Sequence, residues 1–279
     1  MEQFFFVNYG LNLTIMKNRF HVLISIALAV IFQACEKPWQ NIYNGENLDG
    51  FETYIGTPLQ GFDSLHALAT PEKVFSIIEE NGEKLIRISG EVNGSLATLD
   101  TFSDYHLELV FKWGEEVYTT RNSGLLYHSF GDFGAAFGTW MTNIECQLMH
   151  DNLGDTYLMN NTCCETNAKL QDERYIYSKD GEPTRFGKDF NGAGIKKAQD
   201  AENPLGEWNT VELYSLGRTT VHVVNGIVTM VNTNTGVNEN NGIRSLSSGR
   251  IQLQSEGGEL FIKSLRIKPI TKIPAKIIQ

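Results

Sequence analysis

Short runs of alternating apolar and polar residues constrain the fold of this chain most strongly. Runs of this kind fall at 85–89, 105–113, 249–253 and 259–267. The cleanest places five apolar side chains on one face: Tyr105, Leu107, Leu109, Phe111 and Trp113. No segment sustains an apolar period of 3.6 residues, so we expect helices to be few and short. Strand following strand without intervening helices predicts an all-β sandwich or jelly roll of antiparallel sheets.

One hairpin can be placed from the sequence, and one segment resists assignment to strands. Asn225-Gly226 separates two β-branched runs, 221–224 and 227–231, and a type I′ turn between strands favours this dipeptide. The stretch 151–204 is polar, glycine-rich and irregular. A loop of such length is usually functional or mobile, so we predict a long loop there.

The N-terminal segment has the pattern of an export signal. Basic Lys17 and Arg19 precede an apolar run over 22–32, which closes on Ala34-Cys35. This ending resembles the lipobox of bacterial lipoproteins. We therefore predict a signal segment over 1–35 with its true start at Met16, and lipidation of Cys35. A single domain would fill 36–279, and the product would be held on the bacterial outer membrane by its lipid, facing the periplasm or the cell surface. An uncleaved anchor helix is the alternative.

Charge and cysteine content narrow the kinds of partner and of metal site that the chain can have. The formal net charge is −10 and no basic run occurs, which argues against a nucleic-acid partner. Apart from Cys35, the chain holds Cys146, Cys163 and Cys164. In an oxidising compartment one bridge from Cys146 to either of the other two is possible. The spacing matches no zinc motif, so we interpret these cysteines as structural.

Two predicted strands carry an unusual polar face. Alternation puts Glu145 and Gln147 on one face of the first strand, and Gln252, Gln254 and Glu256 on one face of the second. Carboxylates and amides without balancing lysines suit the vicinal hydroxyls of a sugar, because they accept and donate in one plane. The alternative is an ordinary solvated sheet face.

Further candidates flank these strands. Arg121-Asn122 stands at a strand entrance, where a guanidinium offers a rigid fork of donors. His150-Asp151 follows the Glu145 strand directly and offers a possible base. The aromatic residues favoured for stacking on a sugar ring are Trp140 and Trp208. Two weaker candidates for a catalytic histidine are His128 and His222. No phosphate loop, HExxH or serine nucleophile elbow occurs.

Several motifs in order resemble the 3-keto-disaccharide hydrolase family. They are N-G-x-x-L-x-G at 44–50, N-S-G at 122–124, E-x-Q at 145–147, G-E-W-N at 206–209 and L-Q-S-E-G at 253–257. The resemblance covers nearly all of the mature chain. It implies a concanavalin-like jelly roll, activity on glycosides oxidised at carbon 3, and frequent export as a lipoprotein. The sequence departs from the family at Gly258, where alanine is common, and at Lys263, where arginine is common. We expect neither to touch the site.

This chemistry assigns hypothetical roles to the candidates. A ketone at carbon 3 acidifies the proton at carbon 2, so a base allows the oxygen on carbon 1 to leave by elimination before water adds. Glu145 is the expected base, with Arg121 and Gln147 steadying the enolate and His150 or Glu256 as the acid. A divalent metal is a possible cofactor, bound through His150, Asp151 and Glu145. The alternative function is a glycan-binding surface lipoprotein without catalysis.

Overall fold

The structure is a computed structural model that describes Met1 and residues 37–278. The predicted signal segment, its start at Met16 and the lipidation site Cys35 therefore lie outside the residues described. A compact unit spans Trp39–Gln279. Within the described part of the chain, no helix is long and apolar enough to cross a membrane.

Strands dominate the unit. The strands are β1 Gln40–Asn41, β2 Phe51–Ile55, β3 Phe75–Glu80, β4 Glu83–Ile88, β5 Gly94–Thr98, β6 Phe102–Ser103, β7 Tyr105–Val117, β8 Gly124–Phe130, β9 Thr142–Gln147, β10 Thr156–Leu158, β11 Thr162–Gln171, β12 Arg174–Tyr177, β13 Glu182–Phe186, β14 Gly194–Ile195, β15 Asn209–Leu216, β16 Thr219–Val224, β17 Ile227–Glu239, β18 Gly242–Ser245, β19 Ser248–Ser255 and β20 Gly258–Pro269. The helices have four residues each: α1 Asp63–His66, α2 Pro71–Val74 and α3 Ala275–Ile278.

The strands form two antiparallel sheets, as the alternation predicts. The larger, of twelve strands, runs β12-β11-β17-β16-β15-β7-β20-β4-β3, with β1, β13 and β18 paired at its sides. The smaller, of eight strands, runs β14-β10-β9-β8-β19-β5-β2, with β6 paired to β19. One buried apolar cluster takes side chains from both sheets, including Phe111 of β7 and Leu125 of β8. The all-β jelly-roll sandwich with few short helices is confirmed.

The core-facing side chains follow the predicted alternation. On β7, Tyr105, Leu107, Leu109, Phe111 and Trp113 are all buried. The hairpin prediction is also confirmed, because Val224 pairs with Ile227 around Asn225 and Gly226, whose φ angles are +48° and +81°. Two consecutive positive φ angles are what a type I′ turn requires.

The prediction of a long loop over 151–204 is wrong. Five strands, β10 to β14, lie in this stretch. The inward positions of β11 are Cys164, Thr166 and Ala168, which are too small or too polar to produce an apolar alternation. Thr166 Oγ1 instead donates to Asn232 Oδ1 at 2.7 Å, so the strand is stabilised by buried hydrogen bonds.

The three cysteines of the described domain are free and buried. The bridge considered from Cys146 is therefore absent. Cys164 Sγ lies 3.6 Å from Asn232 Oδ1 in the core. The interpretation of these cysteines as structural agrees with their burial.

Candidate functional site

The candidate site lies on the outward face of the eight-stranded sheet, where β9, β8 and β19 are neighbours. Glu145 pairs with Leu126, and Leu126 pairs in turn with Gln252. Directly paired residues share a face, so Glu145 and the even-numbered residues of β19 point the same way. The intervening residues Cys146 and Leu253 belong to the core.

Gly124 lets two polar side chains come together across the middle strand. An ideal Cβ on Gly124 would overlap both Glu145 Oε1 and Gln254 Oε1. The N-S-G motif therefore requires glycine at position 124, because a side chain there would displace Glu145 or Gln254. The serine of the same motif fixes the strand pairing, because Ser123 Oγ donates to the carbonyl oxygen of Gln254 at 2.8 Å.

The turn between β19 and β20 brings Glu256 beside the Arg121 loop. Thr119 N–H donates to the carbonyl oxygen of Gly257, whose φ is +102°. A Cβ on Gly258 would stand 2.7 Å from Arg121 Cα. The expectation that Gly258 lies away from the site is wrong, since its backbone packs on Arg121. Lys263 does lie elsewhere, paired with Glu83 at 2.6 Å on the other sheet.

Buried polar atoms without a partner concentrate on these residues. Among the described residues such atoms include Arg121 Nε, Asn122 Oδ1, Glu145 Oε1 and both amide atoms of Gln254. Glu145 is 2% exposed and Gln254 is 0% exposed. Leaving a buried polar group unpaired costs about 1–3 kcal/mol, so their accumulation at one place indicates a site prepared for a ligand.

Burial perturbs the two carboxyl groups unequally. Desolvation, followed by the nearby charges of Glu256 and Asp155, raises the pKa of Glu145 well above its usual range. Desolvation raises the pKa of Glu256 to about 7. Burial thus favours the protonated form of Glu145, which can donate a hydrogen bond, whereas Glu256 exchanges protons near neutral pH. Neighbouring carboxyl groups with raised pKa values are typical of sites that transfer protons.

His150 belongs to a separate ionic cluster. Its Nδ1 lies 3.0 Å from Glu202 Oε1, and its Nε2 lies 3.7 Å from Asp151 Oδ1. The backbone N–H of His150 donates to the carbonyl oxygen of Arg121, so the cluster adjoins the Arg121 loop. Candidate ligand atoms of His150, Asp151 and Glu202 lie within 4.8 Å of one another, and Glu145 is not in this group. A divalent ion here would use Glu202, not Glu145, as its third ligand.

Both tryptophans predicted to stack on a sugar have other roles. Trp140 is 2% exposed, and its indole N–H donates to the carbonyl oxygen of Gly94 at 2.9 Å. Trp208 lies under Lys112 Nζ, which belongs to the twelve-stranded sheet, at 4.9 Å from the ring centroid. Neither ring is available to a ligand at Glu145, so this expectation is wrong.

The two other glutamines also differ from Gln254. Gln252 is fully buried: its Oε1 accepts from Ser95 Oγ at 2.9 Å, and its Nε2 donates to Ser129 Oγ at 2.7 Å. Gln147 Oε1 accepts the backbone N–H of Met149 at 3.0 Å. Gln252 is thus held by the protein, and Gln147 keeps only its amide N–H groups for a ligand.

His128 and His222 are buried within the sandwich. His222 Nε2 lies 3.1 Å from the Tyr127 hydroxyl, and its Nδ1 lies 3.2 Å from the carbonyl oxygen of Gly154. Desolvation lowers the pKa of each histidine to about 4, so both are neutral core residues.

Two exposed aromatic residues beside the site were missed. Tyr157 of β10 is the direct pairing partner of Glu145 and is 36% exposed. Phe137 is 63% exposed, with its ring centroid 6.3 Å from that of Tyr157. Only the pairing of β10 with β9 reveals the first, and no sequence signal marks the second.

The motifs at 44–50 and 206–209 make turns. Asn44 Oδ1 accepts the backbone N–H groups of Glu46 and Asn47. Asn209 Oδ1 accepts from Asn203 N–H and from Asn225 Nδ2, each at 2.8 Å. The motifs at 122–124, 145–147 and 253–257 are therefore the ones that build the site.

None of the curated proteins compared with the chain matches it. Among solved structures, a candidate glycosyl hydrolase from Parabacteroides distasonis is similar at 16% identity and a TM-score of 0.48, over 84% of this chain and 100% of that one. The β-glucanase of Bacillus licheniformis is similar at 10% identity and a TM-score of 0.44, over 85% and 100%.

A carbohydrate-binding module from Bacillus subtilis is similar at 9% identity and a TM-score of 0.43, over 78% of this chain and 95% of that one. At such values these likenesses carry no argument about activity. The family comparison does, because residues 38–268, which include every motif of the site, match the 3-keto-α-glucoside-1,2-lyase-like domain. The chain belongs to this carbohydrate-active family.

Proposed function

We propose that this protein is an exported lipoprotein enzyme that cleaves the glycosidic bond of 3-keto-glycosides by elimination followed by hydration. The observation that carries the proposal is the pair of carboxyl groups with raised pKa values beside unpaired buried polar atoms. A binding module needs no such pair.

The pKa directions exchange the roles expected from the sequence. Glu256, with a pKa of about 7, is the base that takes the proton from carbon 2. Glu145, whose protonated form is favoured by burial, donates a hydrogen bond to the ketone oxygen and stabilises the enolate. Gln254, Asn122 and Arg121 offer their unpaired atoms to the sugar.

Elimination and hydration together conserve every atom of the glycoside and the water. The proton leaves carbon 2, the bond from carbon 1 to its oxygen breaks, and the leaving group departs with one proton as an alcohol. Water then adds its oxygen to carbon 1 and a proton returns to carbon 2. The sum is one glycoside and one water giving a 3-keto sugar and an alcohol.

A divalent ion would fit this scheme at His150, Asp151 and Glu202, where it would polarise an oxygen of the substrate. Two observations bear on the fit. Both carboxylate oxygens of Glu202 already accept hydrogen bonds, from His150 Nδ1 and from Asp151 N–H. The cluster nevertheless offers the nitrogen and oxygen ligands that such ions prefer.

The test uses methyl 3-keto-α-glucoside in heavy water. We expect the released 3-keto sugar to carry deuterium at carbon 2, because elimination removes that proton and hydration replaces it from solvent. Product incubated without enzyme corrects for spontaneous exchange. Release without deuterium would point to direct hydrolysis, and binding without release would support a glycan-binding protein.

Two variants test the roles assigned to Glu145 and Glu256. Glu145→Gln and Glu256→Gln should each lower turnover by roughly 10²-fold or more, with thermal midpoints near that of the wild type. Glu79→Gln, on the exposed face of β3, is the matched control. With Glu256 as the base, kcat/KM of the wild type should rise as the pH passes 7. This rise should be absent in Glu256→Gln. A Glu256→Gln variant that keeps this rise would assign the base to another group.

A further inference from the structure

A groove of 510 Å³ opens on the side of Glu145 away from Gln254. It runs across β10 and β14, and its lining includes Gln147, Tyr157, Tyr175 and Lys196. Sites for small molecules typically occupy about 300–1,000 Å³, so the groove can hold a group of ring size or larger.

The groove adjoins the strand that carries Glu145, since Gln147 of β9 and Tyr157 of β10 both line it. Tyr157 and Glu145 are direct partners in the β9–β10 ladder, and the Cβ atoms of such partners stand about 4.5–5.5 Å apart. Gly194, on the far side of β10, keeps the space beside the Tyr157 ring open, since a Cβ there would stand 3.7 Å from Cδ2 of the ring. A group attached to carbon 1 of the sugar can therefore extend along Tyr157.

Two exposed aromatic rings lie side by side here, with Tyr157 in the lining of the groove and Phe137 next to it. The rings of Tyr157 and Phe137 are tilted by 46°. Phe137 has a φ of +50°, a conformation that is strained for a bulky residue and that proteins retain mainly at functional positions. An exposed phenyl ring held in this way offers a stacking surface to a ligand.

The remaining walls combine apolar, neutral polar and charged side chains. Met149 and Ile195 line the groove beside the tyrosines. Lys196 Nζ donates to Asp155 Oδ2 at 2.8 Å and to Asn152 Oδ1 at 2.6 Å, which leaves one N–H of the ammonium group. Glu173 and Arg174 add one charge of each sign. Because the charged residues of the lining are balanced in sign, the groove disfavours a charged ligand.

We propose that this groove binds the aromatic aglycone of an aryl 3-keto-glycoside, stacked on Tyr157 and Phe137. The inference rests on the proposed function and specifies its leaving group. On elimination, the electron pair of the bond from carbon 1 to the aglycone stays on the aglycone oxygen, and the phenol departs after taking a proton from solvent.

The kinetic test compares phenyl 3-keto-α-glucoside, methyl 3-keto-α-glucoside and 3-keto-trehalose with the full chain. Tyr157→Ala should lower kcat/KM for the phenyl substrate about tenfold and change that for the other two by less than about twofold. Leu99→Ala, an exposed apolar truncation in the β5–β6 connection, is the control. Equal losses for all three substrates, or a loss confined to 3-keto-trehalose, would overturn the proposal.

Phe137→Gly separates binding from folding. Glycine adopts a positive φ without strain, so this variant should keep or raise the thermal midpoint while losing affinity for the phenyl group. Affinity is measured by titrating unoxidised phenyl α-glucoside and methyl α-glucoside, which need no turnover. Phenyl α-glucoside should bind the wild type at least tenfold more tightly, and Phe137→Gly should remove the difference.

The two proposals fail differently. If no keto substrate is turned over but the preference for phenyl α-glucoside persists and depends on Phe137, the proposed reaction is wrong and the aromatic subsite stands. If keto substrates are turned over without any preference, the reaction stands and the subsite is wrong.

Discussion

Glu145 and Gln254 approach each other from the two strands that flank β8, and their side-chain oxygens meet over Gly124. The contact exists because one residue of the middle strand has no side chain. Three family motifs thereby become one physical unit, in which N-S-G provides the gap and the other two provide the polar groups.

Gly124→Ala should separate the acid from the amide beside it. The new methyl group would overlap both side-chain oxygens, so one of them must rotate away. We expect turnover to fall at least tenfold, because displacement of positioned groups by about 1 Å can cost 10²-fold. Turnover and thermal midpoint are measured together. Full activity in Gly124→Ala would show that Glu145 and Gln254 need not meet.

Gly258→Ala should disturb the Arg121 loop. The added Cβ would stand 2.7 Å from Arg121 Cα, and backbone cannot yield as a flexible side chain does. Overpacking of this kind costs about 1–3 kcal/mol, which urea unfolding can measure. Lys263→Arg, which keeps the charge that pairs with Glu83, is the comparison and should change neither stability nor KM. Equal stability of the two variants would contradict the packing described.

His222→Gln should change how stability depends on pH. The folded-state pKa of about 4 lies below the ordinary value of 6.5, so the unfolded chain binds more protons between these limits. The contribution of neutral His222 is therefore present above pH 6.5 and lost as the pH falls towards 4. At 1.36 kcal/mol per unit it amounts to at most about 3 kcal/mol.

The measurement is the difference in unfolding free energy between wild type and His222→Gln at pH 7.5, 6 and 5. This difference isolates His222 from the carboxyl groups, whose raised pKa values act in the opposite direction: their contribution is present below pH 4.5 and lost as the pH rises through about 7 for Glu256. We expect the advantage of the wild type to shrink as the pH falls. A constant difference would mean that His222 is not buried in its neutral form.

Cys35→Ala should release the protein from the membrane fraction or stop its processing. The basis is the sequence alone: Lys17 and Arg19, an apolar run, and a small residue before the cysteine. Lipid chains would provide the whole attachment. The measurement is fractionation of cells that express wild type or variant. An unchanged distribution would favour an uncleaved anchor helix.

The sequence predicts features that depend on local alternation and misses those that depend on distant pairing. Glu145 and Gln147 share a face because the pleat of one strand dictates it, and the structure agrees. Tyr157 joins them only because β10 pairs with β9, and Glu202 reaches His150 from 52 residues away. No local pattern contains either relationship.

Burial explains the wrong predictions. Trp140 has the composition of a sugar-binding residue, but its indole N–H is satisfied inside a small cluster with Leu126, Ala136 and Met159. The strands of 151–204 were missed because hydrogen bonds such as that from Thr166 to Asn232 replace apolar contacts in the core. Residue type alone does not show which polar groups face inward.

The three free thiols of the domain have a consequence for its response to oxidants and reductants. Burial raises the pKa of Cys146 well above its usual range, that of Cys164 to about 12 and that of Cys163 above its usual value. The thiolate is the form that attacks an oxidant or a disulfide, so raised pKa values slow this reaction in the folded chain. Because no bridge joins these three cysteines, a reductant has no disulfide to break among them.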